Sequence, residues 1–332
     1  MENSSPRNAR TVVVGGGTMG ADVAVVLARG GAQVTVVDPH AARRDHLLPH
    51  IAQELAAAGQ ATHAGPVQVC ASLQDVDWSG VVLVVECITE QLAAKQKLFA
   101  ELETVAPPNA VLASNSSGFP ISAIAQGLAT AQRMLGLHFF MPAHLVPLVE
   151  VVLGERSDPA LGTWLHAFMR GCGSVPVLVK KDKPGFLANR MQHALSREAF
   201  ALIDEGIASP EDVDAAVRFG FGFRFLAAGP VLQRDHAGIE VHTAAAATMY
   251  PTLSNTDVPA QALRDKVAQG TLGMKTGKGF FDWPEDRKQA ERARYDTLLR
   301  QGLALLASEL PTIEPPTATS PTDTPSTTGA RA

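Results

Sequence analysis

Short apolar runs alternating with stretches of helical spacing set the rhythm of the first half of the chain. Val12-Val13-Val14, Gln33-Val34-Thr35-Val36-Val37, Val67-Gln68-Val69-Cys70, Val81 to Val85, Val111-Leu112-Ala113, Met134 to Phe139, Leu148 to Leu153 and Val175 to Val179 read as strands. Apolar strands of this kind, separated by helical segments such as Ala21 to Arg29, predict an α/β fold with a mostly parallel sheet covered on both faces. This domain is expected to span residues 1–183, closing at Lys181-Asp182-Lys183-Pro184.

From Gly185 the strand signals stop. Phe186, Leu187, Arg190, Met191, Ala194 and Leu195 recur at helical spacing up to Gly206. Ser209, Pro210 and Asp212 then have the form of a helix start, with a capping hydroxyl, a proline in the first turn and an acid three residues beyond the cap. The pattern predicts an all-helical C-terminal domain over 184–310. Residues 311–332, rich in Pro, Thr and Ser, are expected to form a disordered tail.

The first strand runs into Gly15-Gly16-Gly17-Thr18-Met19-Gly20, and Asp38 closes the second strand. Strand, glycine turn, helix, strand and acid in this order describe the doubly wound Rossmann unit that holds a dinucleotide. Gly15 permits the tight turn, Gly17 lets the backbone approach a pyrophosphate, and Gly20 lets the helix lie close to the sheet. The phosphates then face a helix N-terminus, at Thr18 and Met19, with free N–H donors. Asp38 can accept hydrogen bonds from both ribose hydroxyls and would repel a 2′-phosphate, so the expected cofactor is NAD rather than NADP, although Arg43 and Arg44 stand nearby.

At 332 residues, 46% apolar and 18% charged, the chain is long enough for two domains. A net charge of −5 without a dense basic run argues against a nucleic-acid partner. No apolar stretch approaches membrane-spanning length, and Met1 to Arg10 lacks an apolar signal core, so a soluble cytoplasmic protein is expected. Cys70, Cys87 and Cys172 form no Cys-x-x-Cys pair; they read as reduced core residues, and no metal site is expected.

Candidate chemistry gathers at the predicted carboxyl edge of the sheet, where open α/β sheets bind ligands. Ala113-Ser114-Asn115-Ser116-Ser117-Gly118 follows one strand, and His138 ends another in Gly136-Leu137-His138-Phe139-Phe140. A neutral imidazole there can take a hydroxyl proton while hydride leaves the same carbon. Glu150 lies in the otherwise apolar strand Leu148 to Leu153, where an unpaired charge is costly. His138 is its natural partner, with an arginine or water as the alternatives. Asn189, opening the long helix in Pro184 to Arg190, can donate to a substrate oxygen or simply sit at the helix surface.

Together these segments resemble the L-3-hydroxyacyl-CoA dehydrogenase family, including its gulonate dehydrogenase (lambda-crystallin) and carnitine dehydrogenase branches. The resemblance runs from about Arg10 to Trp283 and includes Ser114-Asn115-Ser116-Ser117, Leu148-Val149-Glu150 and Gly273-Met274-Lys275-Thr276-Gly277-Lys278-Gly279-Phe280-Phe281. It implies an NAD-dependent oxidoreductase of the fatty-acid-metabolism type, in which His138 is the general base and Glu150 orients it. It further implies that Ser117 and Asn189 hydrogen-bond the reacting oxygen, and that Asp38, Glu90, Lys95, Ser117 and Lys275 contact NAD. A helical second domain of this kind implies a homodimer.

Two departures bear on the substrate. Where the family commonly has an asparagine after His-Phe-Phe, this chain has Met141, so a polar contact is missing or supplied elsewhere. Members that act on coenzyme A thioesters carry a lysine-bearing helix after the second strand, whereas positions 41–69 here contain no lysine. Charge-assisted hydrogen bonds contribute roughly 1.5–3 kcal/mol each, so losing two weakens CoA binding by about 10² to 10⁴. Gly220 to Pro230 reads as a longer loop, like that of the gulonate and carnitine branches, and its Arg224 can clamp a free carboxylate or lie exposed. A free 3-hydroxy carboxylate is therefore favoured over a 3-hydroxyacyl-CoA. The alternatives are a non-catalytic NAD-binding structural or sensing protein, and a 3-hydroxyisobutyrate-type dehydrogenase. The latter uses a lysine on the inter-domain helix, and this helix carries none before Glu205.

Overall fold

A computed structural model describes residues 4–314; most of the tail expected to be disordered lies outside the described residues. Eight strands form one sheet: β1 (Arg10–Val14), β2 (Gln33–Val37), β3 (Val67–Cys70), β4 (Val81–Glu86), β5 (Val111–Ser114), β6 (Met134–Phe139), β7 (Leu148–Leu153) and β8 (Val175–Val179). Their spatial order is β3-β2-β1-β4-β5-β6-β7-β8. All neighbours are parallel except β6 and β7, which run antiparallel and place His138 directly opposite Glu150. The sheet is thus the expected mostly parallel one, and every strand read from the apolar runs is present.

Helices α1 (Thr18–Arg29), α2 (Ala41–Ala57), α3 (Leu92–Val105), α4 (Ile121–Ile124) and α5 (Pro159–Gly171) cover its faces. Period-two alternation divides the strands between two cores: Val13 packs with α1, α2 and α5, whereas Val12 and Val14 pack with α3 and α4. The eight central residues of α1, Ala21 to Ala28, are all buried, as a helix pressed onto a parallel sheet requires. Gly20 makes that approach possible, since a Cβ there would stand 1.7 Å from the Gly15 carbonyl oxygen.

Beyond Gly185 the chain is helical: α6 (Ala188–Asp204), α7 (Pro210–Ala216), α8 (Gly222–Arg224), α9 (Leu232–Ala237), α10 (Ile239–Met249), α11 (Gln261–Ala268) and α12 (Glu285–Leu305). Ser209 caps α7 as its sequence predicts, accepting from the Asp212 amide. The loop expected over Gly220 to Pro230 is instead largely helical at its start. Val217–Phe221 forms a wide π turn that kinks at Gly220 and continues into α8, with Phe221 edge-on to Phe225.

A polar cluster ties α12 back to the sheet domain. Asp22 on α1 is almost fully buried; one carboxylate oxygen meets His50 Nε2 at 3.0 Å and His144 Nδ1 at 3.1 Å, and the other accepts from the Ala143 amide. Glu54 on α2 pairs with His144 Nε2 at 3.2 Å and with Arg300 of α12 at 2.7 Å. Burial pushes the Asp22 carboxyl up, but the His144 and His50 imidazoles outweigh it and hold the group below its ordinary value. The hydrogen bond to Asp22 correspondingly raises His50 above its ordinary 6.5.

Two outcomes follow from this packing. Gly20→Ala is expected to cost roughly 3 kcal/mol or more in urea unfolding, because the helix must leave the sheet to admit a methyl group; a loss under about 1 kcal/mol would show that the contact yields easily. His50 has a raised folded pKa, so its contribution is fully present below pH 6.5 and is lost as pH rises through the folded value. The melting-temperature gap between wild type and His50→Gln should therefore be wider at about pH 5.5 than at about pH 9. A gap that widens toward alkaline pH contradicts the assignment.

Candidate active site

The β1–α1 turn has the shape a pyrophosphate needs. Gly15 takes φ +104°, and a Cβ there would meet the Cys87 carbonyl oxygen at 2.7 Å, so no side chain fits. A Cβ on Gly17 would meet nothing within 4 Å, which leaves open space over the helix N-terminus. Thr18 and Met19 open α1 with N–H groups that have no carbonyl a turn behind them, and no acidic side chain occupies that first turn. Asp38, at the end of β2, is 1% exposed; its oxygens accept from the Gly16 and His40 amides at 2.8 Å each. The acid thus anchors the glycine turn and keeps lone pairs for a ribose. Arg43 approaches Asp38 at 3.5 Å, and Arg44 donates to the Asp38 carbonyl at 2.8 Å.

The edge of β4 and β5 carries a second buried network. Lys95 of α3 is fully buried, its ammonium 2.7 Å from Glu86 and 3.1 Å from Glu90. Glu90 accepts in turn from the Ser116 hydroxyl and from the amides of Ser117 and Gly118. Burial raises the Glu90 carboxyl, but the Ser116 hydrogen bond, the Lys95 charge and the Gly118 amide together hold it below its ordinary value. Of the two residues expected at NAD, Lys95 is thus paired with Glu86 and Glu90, and Glu90 with Lys95 and the serine loop. The Ser117 hydroxyl makes no hydrogen bond among the described residues and is free for a ligand.

His138 and Glu150 come together as the apolar strand suggested. His138 Nδ1 stands 2.7 Å from Glu150 Oε2, with the imidazole 3% exposed and Glu150 fully buried. A carboxylate acceptor assigns the hydrogen to Nδ1 and leaves Nε2 as the basic atom. Phe140 and Phe186 stand edge-on to the ring at 4.6 and 5.6 Å between centroids. The other Glu150 oxygen accepts from the Leu187 amide at 3.0 Å and the Ala188 amide at 2.7 Å. Glu150 thus holds the His138 imidazole on one side and the N-terminus of α6 on the other.

Asn189 follows immediately in the first turn of α6 and is half-buried. Gly185 and Phe186 just before it take positive φ of 75° and 50°. For a phenylalanine that conformation is strained, and it turns the ring inward against His138. Lys275 and Arg224 are not brought to this edge by any hydrogen bond or ion pair among the described residues. Lys275 is exposed in a turn closed by the Gly273 amide on the Lys278 carbonyl, and the same turn seats Phe280 against Phe200 of α6. Arg224 is exposed at the end of α8, and Met141 is 66% exposed.

Sequence reasoning missed Glu86 and Phe186. The first carried a readable signal, a carboxylate closing an apolar strand, akin to the carboxylate within an apolar strand that singled out Glu150. Phe186 carried none, because its role depends on a backbone conformation.

An NAD cradle and a histidine–carboxylate pair at the carboxyl edge of one sheet, followed by a helical region, define an NAD-dependent dehydrogenase. Residues 10–183 match the family model for the 3-hydroxyacyl-CoA dehydrogenase NAD binding domain, and residues 185–283 match that for the 3-hydroxyacyl-CoA dehydrogenase C-terminal domain. The chain belongs to the 3-hydroxyacyl-CoA dehydrogenase family. It is 35% identical over 290 residues to 5-formyl-3-hydroxy-2-methylpyridine 4-carboxylate 5-dehydrogenase of Mesorhizobium japonicum, covering 85% of this chain and 94% of that one. It is 33% identical over 286 residues to 3-hydroxybutyryl-CoA dehydrogenase of Mycobacterium tuberculosis, covering 82% and 98%. A solved structure of the pyridine carboxylate enzyme, described as an NAD+ dependent dismutase, superposes with a TM-score of 0.85 at 30% identity over 91% of this chain and 98% of that one.

Gly17→Ala tests the cradle. The substitution meets no protein atom, so the melting temperature should stay within about 2 °C of wild type. NADH affinity should fall about tenfold or more, because the methyl group occupies phosphate space. Unchanged affinity by fluorescence titration would place the dinucleotide elsewhere.

Proposed function

We propose that the protein oxidises the C3 hydroxyl of a small, free L-3-hydroxy carboxylate to the 3-keto product, with NAD as acceptor, in preference to a 3-hydroxyacyl-CoA thioester. The single observation that carries the chemistry is the 2.7 Å contact between His138 Nδ1 and the buried Glu150 carboxylate. His138 Nε2 takes the hydroxyl proton, and the Glu150 charge stabilises the imidazolium that results. Ser117 and Asn189 donate to the reacting oxygen, holding the carbon in place. Bound NAD supplies the acceptor for the hydride. Phe140 and Phe186 keep water from the imidazole, so its proton is exchanged with substrate.

Preference for a free acid is supported by α2 and the segment after it, which present no lysine to a nucleotide tail. Arg43 and Arg44 there are turned toward Asp38. A relative named for a pyridine carboxylate is in keeping with this preference. The substrate carboxylate is assigned to Arg224 on its chemistry alone, as an exposed guanidinium at the end of α8 without an ion-pair partner among the described residues and with no contact that ties it to the sheet edge. We also assign residues 1–183 to NAD binding and 184–310 to substrate binding and dimerisation. No helix from α6 to α12 contains a fully buried residue, and Phe219 and Tyr250 are 74% and 70% exposed. Such apolar exposure is in keeping with a second copy of the chain covering this region.

The test is NADH formation with a panel of free 3-hydroxy acids, pyridine carboxylates bearing a hydroxymethyl or formyl group, and matched 3-hydroxyacyl-CoA thioesters. Free acids should exceed thioesters in kcat/KM by about tenfold or more, and His138→Gln should lower kcat by roughly 10² to 10⁴. Turnover confined to CoA thioesters overturns the substrate assignment. NAD binding without turnover of anything identifies a binding protein.

A further inference from the structure

Glu86 ends β4 at the point where β1, β4 and β5 meet, and it is completely buried. One carboxylate oxygen accepts from the Lys95 ammonium and the Ile88 amide, each at 2.7 Å; the other accepts from the Ser114 hydroxyl at 2.6 Å. Two routes run outward from these contacts and meet at Ser116. Through Lys95 the charge reaches Glu90, which binds the Ser116 hydroxyl and the Ser117 and Gly118 amides. Through Ser114 it reaches the Ser116 amide, which donates to the Ser114 hydroxyl at 3.1 Å. Between Ser114 and Ser116, Asn115 accepts from the Phe139 amide at 2.9 Å, tying the serine loop to the strand that ends in His138.

We propose that Glu86 is a positioning residue for hydride transfer: without touching substrate, it fixes the Ser117 loop in register with His138. The assignment rests on the dehydrogenase reading above and deepens it. A buried ion pair is weak evidence for stability, since apolar replacements are often tolerated. Its placement is what argues for function. Both routes end on the loop that bears Ser117, which Asn115 ties to the strand of His138, and Lys95 serves as the bridge to Glu90 rather than as a free cation for phosphate.

The two roles separate in a pair of variants. Glu86→Gln alone leaves the Lys95 charge buried and should lower both melting temperature and kcat. Glu86→Gln combined with Lys95→Met removes both charges and should recover most of the melting temperature, while Glu90 loses its anchor and kcat stays about tenfold or more below wild type. Recovery of kcat together with stability overturns the proposal. Should the double variant fail to fold, Ser114→Ala decides, because the Glu86–Lys95 pair stays intact. It should lower kcat severalfold with NADH affinity within about twofold, and unchanged kcat overturns the proposal. All rates are ratios to wild type on whichever substrate it accepts, so a wrong substrate assignment moves both terms alike and is detected separately by the wild-type panel.

Discussion

One carboxylate, Glu150, joins the sheet to the helical region at the proposed active site. It sits in a strand whose other side chains are apolar, where an uncompensated charge would cost several kcal/mol. All of its compensation is supplied by His138 and by the first two amides of α6. Orientation of the His138 imidazole and entry into the helical region therefore depend on the same carboxylate. Antiparallel pairing of β6 with β7 makes this possible, because it sets residue 138 across from residue 150 in an otherwise parallel sheet.

Glu86 repeats the device one strand pair away, with a different outcome. Both carboxylates are fully buried in apolar strands, Glu150 within β7 and Glu86 at the end of β4, and each is satisfied by one cationic or ionisable side chain and by backbone N–H, with the Ser114 hydroxyl added at Glu86. The partner of Glu150 is an imidazole, which can exchange a proton near neutral pH. The partner of Glu86 is an ammonium sealed from solvent, which can only hold. The sheet edge thus carries one pair suited to chemistry and one suited to geometry, linked by the Asn115 contact to Phe139.

Much of this arrangement was legible from the chain. Short continuous apolar runs located all eight strands, since a mostly parallel sheet buried on both faces leaves little choice of residue. The glycine spacing and Asp38 identified the cradle because Gly15 and Gly20 answer steric demands within the turn, whereas Gly17 leaves open space over the helix N-terminus. Glu150 was readable as a charge out of place. For Lys95 and Glu90 a family resemblance proposed NAD contacts, and what the sequence did not reveal is the buried Glu86 that pairs with the lysine and the serine loop that donates to the glutamate. Arg224 was expected in a loop, and a π turn at Val217–Phe221 makes that stretch helical through hydrogen-bond spacing that apolar periodicity does not encode. The positive φ at Phe186 lay beyond sequence reasoning, because it arises where Gly185 and the capped start of α6 meet the His138 ring.

The account turns on Glu150 fixing the imidazole so that Nε2 is the basic atom, and the most direct measurement is steady-state kcat of Glu150→Gln alongside its NADH affinity. A glutamine keeps an oxygen for the Leu187 and Ala188 amides but points an N–H at His138 Nδ1, which forces the hydrogen onto Nε2. The expected result is a fall in kcat of roughly 10² to 10⁴ with NADH affinity within about threefold of wild type. A variant that retains kcat within about threefold would show that the pair is not the proton acceptor.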